Sequence, residues 1–338
     1  MELMKIGVLG AGTWGMALGR MLGNDGYDVT VWSHNPEHVE ELDRTRRHRN
    51  LPGMVIPESI RFTKDIAEAC EGKEVLLAAV PSVHVRNTME KARPYIEDKT
   101  IIVDVAKGIE ADTLYTMSQV IADVLNDGKH ENVKVVALSG PTHAEEVARD
   151  MPTTIVSASR DMEAAEKVQE IFMNTCMRVY TNEDVLGVEL CGALKNIIAL
   201  ASGISTGLGY GDNAKAAIIT RGMVEMTRLG LAMGTKKETF PGLAGIGDLI
   251  VTCTSVHSRN NRCGILIGQG RKTEDAVKEV GMVVEGLNAL PAAMKLKEKY
   301  QVEMPIISAV DAIVKGKIDP KTAMIALMTR DRKNENNI

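Results

Sequence analysis

The sequence predicts an α/β amino-terminal half built on a doubly wound, mainly parallel sheet, followed by an all-helical carboxy-terminal half. Three observations carry that expectation. Short apolar runs alternate with helix-spaced segments as far as Tyr180, the alternation stops near Glu183, and a glycine-rich turn joins the first two elements. Strands alternating with helices imply a parallel sheet covered on both faces, because each crossover lays a helix against it. A chain of 338 residues suggests about two domains at roughly 150 residues each.

Residues 5–10 (KIGVLG) read as a buried strand and 28–32 (DVTVW) as a second. Between them Met16, Leu18, Met21 and Leu22 fall at helical spacing. Apolar runs at 74–81, 100–107, 133–140, 153–158 and 177–180 extend the sheet, with helix-like stretches at 110–125 and 162–172. From Gly187 onward only helical periodicities remain, at 188–203, 214–232, 261–268, 284–297 and 308–314. The expected domains are therefore 1–184 and 185–330, with 331–338 as a disordered tail.

Composition narrows the function classes. An apolar fraction of 44% and a charged fraction of 25% are those of an ordinary soluble globular protein. Aromatics are scarce and methionines frequent, so aliphatic and Met side chains must fill the core. A net charge of −5 offers no basic excess to neutralise a nucleic-acid backbone. The cysteines Cys70, Cys176, Cys191, Cys253 and Cys263 are odd in number and form no CxxC pair, which reads as reduced buried thiols rather than a disulfide or zinc framework. The amino terminus runs into a strand pattern without a basic leader, and no apolar stretch is long and charge-free enough to span a bilayer. A cytoplasmic protein with no metal, bound neither to nucleic acid nor across a membrane, is expected.

Gly10-Ala11-Gly12-Thr13-Trp14-Gly15 is a GxGxxG element that follows a strand and opens a helix, the context in which it signals a Rossmann-type dinucleotide site. Gly10 allows the tight turn, Gly12 lets a pyrophosphate approach the backbone, and Gly15 lets helix and strand pack closely. The second strand ends in Trp32-Ser33-His34-Asn35, and the first acid is Glu37. A missing carboxylate removes repulsion against a ribose 2′-phosphate. His34 and the cluster Arg44, Arg46, Arg47 and Arg49 supply possible attraction, unless these arginines form a solvated face. The balance favours NADP(H), with NAD(H) still open.

The segment 187–203 (GVELCGALKNIIALASG) is apolar nearly all round, so it should be a buried helix. Lys195 and Asn196 interrupt it, and Glu189 lies one heptad before Asn196. A buried ammonium is costly unless paired, and a lysine shifts its pKa readily on burial, which suits a general acid and base. The alternative is a structural ion pair with Glu189. Lys107 and the Ser139–Thr142 segment both end strands, at the sheet edge where ligands bind. Asp248 follows a glycine-rich turn, and Ser258-Arg259-Asn260-Asn261-Arg262 precedes a helix. Guanidinium, amide and helix N–H groups together match a phosphate monoester; a plain helix cap with exposed arginines is the other reading.

These residues resemble one family. GAGTWG, VPS (80–82), AKG (106–108), SGPTHAEEV (139–147), GVELCGALKN (187–196), ITRGMVEM (219–226), GLAGIGDLIVTCT (242–254), SRNNRCG (258–264) and VVEG (283–286) are similar to the signatures of NAD(P)-dependent sn-glycerol-3-phosphate dehydrogenases, in order along the chain. The resemblance implies a 6-phosphogluconate-dehydrogenase-like helical domain and interconversion of glycerol 3-phosphate with dihydroxyacetone phosphate, supplying glycerophospholipid synthesis. It implies Lys195 as proton donor and acceptor, with Lys107, Gly140, Thr142, Asp248, Ser258, Arg259 and Asn260 on substrate. Gly10, Gly12, Thr13, Trp14, Gly15, His34, Lys107, Ala144, Arg259, Val283 and Glu285 would serve the cofactor, and the partner would be a second copy in a homodimer. Met16 departs from the small polar residue common after the third glycine, and the missing acid after the second strand resembles the bacterial form.

Lys107 and Arg259 are expected to lower the Lys195 pKa by like-charge repulsion. A β-hydroxyacid dehydrogenase, which shares a lysine–asparagine pair, and a silent dinucleotide-binding sensor are the rival readings. The first needs a carboxylate site, and the second predicts loss of Lys195, Asp248 or Arg259, all of which are present.

Overall fold

A computed structural model describes residues 3–332, 334 and 335. Of the tail expected to be disordered, residues 333 and 336–338 lie outside the described residues, and the Glu335 carbonyl accepts from Arg221 Nη1 at 3.5 Å. The chain divides into two compact units: Met1–Ala106 with Met117–Val185, and Lys107–Thr116 with Leu186–Ile338. The sequence suggested a single crossing near residue 184. The chain instead makes a short excursion into the helical unit at Lys107 and returns at Thr116.

The first unit is an eight-stranded sheet. Its strands are β1 (Lys5–Leu9), β2 (Asp28–Trp32), β3 (Arg61–Thr63), β4 (Val75–Ala78), β5 (Ile101–Asp104), β6 (Lys134–Ser139), β7 (Thr153–Ala158) and β8 (Met177–Asn182). They lie in the order β3-β2-β1-β4-β5-β6-β7-β8. All pairs are parallel except β6 with β7. β3 was not anticipated: its three residues RFT are too short to set up a pattern.

Successive residues in the central strands bury on opposite faces. Leu77 and Val103 join the core that contains Val8, Leu18 and Phe172, while Leu76 and Ile102 join that of Met89 and Ile121. A strand covered on both sides needs apolar residues at every position, hence the continuous runs in the sequence. The covering helices are α1 (Thr13–Asn24), α2 (Pro36–Thr45), α3 (Ile66–Cys70), α4 (Val85–Ala92), α5 (Met117–Val124), α6 (Ala144–Val147) and α7 (Met162–Met173). The helix expected from residue 110 starts only at Met117. Residues before it close a hairpin instead, with Ile109 bridged to Thr116 and Leu114 at φ 64°, a left-handed conformation no helix interior tolerates.

The second unit holds α8 (Val185–Gly207), α9 (Asp212–Ala232), α10 (Asp248–Thr254), α11 (Arg259–Gly268), α12 (Thr273–Val280), α13 (Glu285–Tyr300), α14 (Pro305–Val314) and α15 (Pro320–Met328). α10, α12 and α15 are short and escaped the periodicity reading. The expectation that no stretch is long and apolar enough to span a bilayer is corrected by α8, which passes on length and composition, although 94% of its most apolar window is buried within the fold. It is the axis of the unit's core.

Glycines decide how closely neighbours approach α8. A Cβ on Gly203 would lie 2.1 Å from the Asn261 carbonyl oxygen, and one on Gly264 would lie 2.3 Å from that of Leu200. Gly207 and Gly268 repeat the arrangement one turn on. These i, i+4 glycine pairs bring α8 and α11 into backbone contact, which ordinary side chains would hold at 8–10 Å between axes. α13 starts equally close, since a Cβ on Gly286 would stand 2.5 Å from the Asn196 carbonyl oxygen.

Candidate active site

The turn after β1 answers distinct demands at each glycine. Gly10 has φ 122°, outside the range of residues with a Cβ, and its N–H donates to the Trp32 carbonyl at 3.0 Å. A Cβ on Gly15 would fall 2.1 Å from the Gly10 carbonyl oxygen, so a side chain there would push α1 off the strand. A Cβ on Gly12 would meet nothing within 4 Å. Gly12 caps α1, and no side-chain hydrogen bond closes the start of that helix. Half-buried Thr13 and Trp14 form the first turn. A helix start with no side-chain cap, open space over Gly12 and the positive end of a helix dipole fit a dinucleotide pyrophosphate, at the point beside β1 where strand order reverses.

His34 follows β2, exposed, its ring 6.4 Å from that of Trp32. Asn35 caps α2 by accepting from Glu37 N and His38 N. Of the four arginines considered for a 2′-phosphate, Arg46 is committed elsewhere: it donates to the Ile60 carbonyl and to Asp43 Oδ1, both at 2.7 Å. Arg44, Arg47 and Arg49 are exposed. At the end of β6 the Thr142 hydroxyl donates to the Gly140 carbonyl at 3.1 Å, and Ala144 opens α6, which packs against α1.

The helical unit gathers three charged groups that are far apart in sequence. Lys195 Nζ donates to Asp248 Oδ1 at 2.6 Å and to Thr252 Oγ1 at 2.7 Å. Lys107 Nζ donates to Asp248 Oδ2 at 2.7 Å. Asp248 is 0% and Lys195 5% exposed. A wide, π-type turn delivers the carboxylate: Ile246 N donates to the Phe240 carbonyl and Gly247 N to that of Gly242. A Cβ on Gly245 would lie 2.0 Å from the Phe240 oxygen. Asp248 and Thr252 are one helical turn apart, so their side chains share a face. The Thr252 hydroxyl proton goes to the Asp248 carbonyl at 2.6 Å, which turns an oxygen lone pair to Lys195.

One carboxylate between two ammonium groups leaves a net positive charge in a buried place. Burial alone would raise the Asp248 pKa, but Lys107 and Lys195 outweigh it and hold the carboxyl below its ordinary range. Lys195 is pushed down to about 8, by burial first and then by Lys107, against the pull of Asp248. Burial is the largest influence on Lys195, and Lys107 is the cation that lowers it most; Arg259, expected to contribute, is not among the largest influences. Glu189 is not the lysine's partner either, since its Oε2 accepts from Thr116 Oγ1 at 2.7 Å. The nearby Cys253 thiol is pushed up to about 12 by burial, which leaves it protonated and inert at neutral pH.

The family profile described as the carboxy-terminal part of NAD-dependent glycerol-3-phosphate dehydrogenase matches residues 184–325, and the amino-terminal part matches residues 5–165. The chain belongs to this family. A relative from Lactobacillus delbrueckii subsp. bulgaricus, named as an NAD(P)+ glycerol-3-phosphate dehydrogenase, is 66% identical over 98% of this chain and 99% of its own. One of the same description from Lysinibacillus sphaericus is 50% identical over 98% of each chain. The crystal structure of glycerol-3-phosphate dehydrogenase from Coxiella burnetii superposes with a TM-score of 0.92 at 38% identity, covering 97% of this chain and 99% of that one.

In this member of the family the remaining site residues brace one another. Asn260 Nδ2 donates to Asn196 Oδ1 at 2.9 Å, and Asn260 Oδ1 accepts from Gly286 N at 2.9 Å. Asn196 Nδ2 donates to the Gly192 carbonyl at 3.2 Å. The amides thus tie α8, α11 and the start of α13, where Glu285 sits and accepts from Asn288. Ser258 caps α11 by accepting from Asn261 N at 3.2 Å. Arg259, half-buried, opens that helix, while Val283 is 39% exposed. Sequence reasoning missed Thr252, although its spacing of four from Asp248 was a usable signal.

Proposed function

We propose that this dehydrogenase interconverts sn-glycerol 3-phosphate and dihydroxyacetone phosphate, with Lys195 as the proton donor and acceptor at the substrate C2 oxygen. The observation that carries the assignment is a buried lysine, pushed down to about 8, sharing one carboxylate with Lys107. Two of the three ammonium protons go to Asp248 and Thr252. The third is left for a substrate oxygen, on the count among the described residues. A bound nicotinamide supplies the hydride donor or acceptor.

In reduction the Lys195 ammonium gives its proton to the developing alkoxide, and in oxidation the neutral amine takes the hydroxyl proton. A pKa near working pH makes both states accessible. Lys107 adds positive charge where oxygen becomes negative, and Asp248 keeps both ammonium groups aimed. In the helical unit Ser258, Arg259 and Asn260 receive the substrate phosphate at the start of α11, and Val283 and Glu285 serve the cofactor. In the sheet unit Gly10, Gly12, Thr13, Trp14 and Gly15 hold the dinucleotide with Ala144, while Gly140 and Thr142 contact substrate. NADP(H) is favoured, with His34 beside the ribose 2′ position. A homodimer, a cytoplasmic location and supply of glycerol 3-phosphate to phospholipid synthesis complete the reading.

The test is absorbance at 340 nm with dihydroxyacetone phosphate and NADPH, repeated with NADH. Oxidation of either establishes the reaction, and the ratio of rates decides the cofactor. No oxidation by folded protein would sink it.

A further inference from the structure

Lys107 reaches Asp248 from a segment that is anchored in the sheet unit at both ends. Residues Lys107–Thr116 leave after β5 and return into α5. The excursion is a small hairpin closed by the Ile109–Thr116 bridge and by Glu110 N donating to the Tyr115 carbonyl at 2.9 Å. On its outer side Lys295 Nζ, from α13, donates to the Ala111 carbonyl at 2.7 Å. On its inner side Thr116 Oγ1 donates to Glu189 Oε2 at 2.7 Å. Thr116 is 1% and Glu189 6% exposed, and a hydroxyl donating to a carboxylate away from water is among the stronger hydrogen bonds available.

Glu189 and Lys195 stand on the same helix, α8. A helix is stiff over so short a span, so whatever is fixed to Glu189 is fixed relative to Lys195. We propose that the buried Thr116–Glu189 hydrogen bond latches the excursion to α8 and so holds the Lys107 ammonium on Asp248, making Thr116 and Glu189 positioning residues for the reaction.

The consequence runs through charge. The charged groups that act most strongly on Lys195 are Asp248, which raises its proton affinity, and Lys107, which lowers it. Releasing the excursion removes the second influence and leaves Asp248 to Lys195 alone. The Lys195 titration then moves upward, and the ammonium becomes a poorer acid towards substrate.

Thr116→Val removes the hydroxyl and keeps the shape, Thr116→Ser keeps the hydroxyl, and Lys107→Met sets the full effect of losing the second ammonium. The titration of Lys195 is read by NMR of protein carrying 13Cε-labelled lysine, with the resonance assigned through Lys195→Arg. The same transition is read as the alkaline limb of the reduction rate, a readout that rests on the proposed reaction. Thr116→Val should raise both by roughly half a pH unit, towards Lys107→Met, and lower kcat several-fold, while Thr116→Ser stays at the wild-type values. A Thr116→Val protein with an unmoved Lys195 titration would overturn the latch, whether or not its Tm falls. Should Thr116→Val not fold, Glu189→Gln weakens the same bond more gently and decides by the same shift. Absence of wild-type turnover would count against the reaction alone, because the NMR titration still decides the latch.

Discussion

The two units carry candidate sites that are built in opposite ways. The dinucleotide turn is a matter of backbone within six consecutive positions: a positive φ at Gly10, a missing Cβ at Gly15 and open space over Gly12. The proposed reaction centre is a matter of side chains, with Lys107, Lys195 and Asp248 drawn from three separate segments around one buried carboxylate. A steric site of the first kind should fail in binding when a side chain is added. An electrostatic site of the second kind should fail in the chemical step when a charge is removed.

The largest expected effect is that of Lys195→Ala. Loss of the proposed proton donor should lower kcat by about a thousandfold, within the usual range for general acid–base groups, while cofactor affinity measured by fluorescence titration stays near wild type. Turnover within tenfold of wild type would break the comparison at its centre.

Asp248→Asn comes next. It leaves two ammonium groups without their shared counter-charge, and removing one partner from a buried ion pair is strongly destabilising, about 3–5 kcal/mol. Because Asp248 raises the proton affinity of Lys195, its loss should move the Lys195 transition downward from about 8. In the reduction direction the rate needs the ammonium, so its alkaline fall should begin at lower pH. A pH–rate profile that moves upward would contradict the assigned geometry.

Gly15→Ala probes the other half. A Cβ 2.1 Å from a backbone oxygen must displace the turn, and the cofactor KM should rise by roughly tenfold or more, the equivalent of about 1.4 kcal/mol or more. At saturating cofactor kcat should hold within about twofold, and initial-rate kinetics separate the two. A fall in kcat with unchanged KM would mean that the turn is not purely a binding element.

The smallest effect on catalysis sharpens the contrast. Glu225 on α9 is another buried ionisable group, 2% exposed, but its carboxylate accepts from Ile306 N at 2.6 Å and Ile307 N at 3.1 Å. It therefore caps α14, whose N-cap residue Met304 makes no side-chain cap bond. Burial pushes its pKa up to about 7, against those two N–H groups. With the folded pKa above the unfolded value of 4.5, its stabilising contribution is fully present below about pH 4.5 and is lost as pH rises through about 7. The span is worth about 3 kcal/mol at most. Glu225→Gln should leave kcat near wild type and flatten the fall of Tm between pH 5 and 8. Calorimetry at the two pH values checks it.

The same contrast explains what could be read in advance. The glycine turn was legible because its residues are adjacent and each glycine has a local reason. The sheet was legible because burial on both faces demands unbroken apolar runs. The hairpin at 107–116 was not, because its apolar residues happen to fall at helical spacing while Leu114 takes a left-handed backbone. Nor did the sequence distinguish Glu189 from Asp248 as the partner of Lys195: Glu189 is six residues away and on the same helix, and Asp248 is fifty-three positions on.

By itself, then, the sequence determined the two-part architecture, the place of the glycine turn after β1 and the list of polar residues that could not sit idle in an apolar helix. Periodicity and local backbone demands act between near neighbours, so they are written in order along the chain. Only the tertiary structure decided that Lys107 crosses into the helical unit, that it shares Asp248 with Lys195, and that Thr252 completes the set. The same structure alone shows α8 in backbone contact with α11 and α13 through Gly203, Gly264 and Gly286. The strength of a buried charge is set by what packing brings within a few ångströms of it, and no spacing along the chain states that distance.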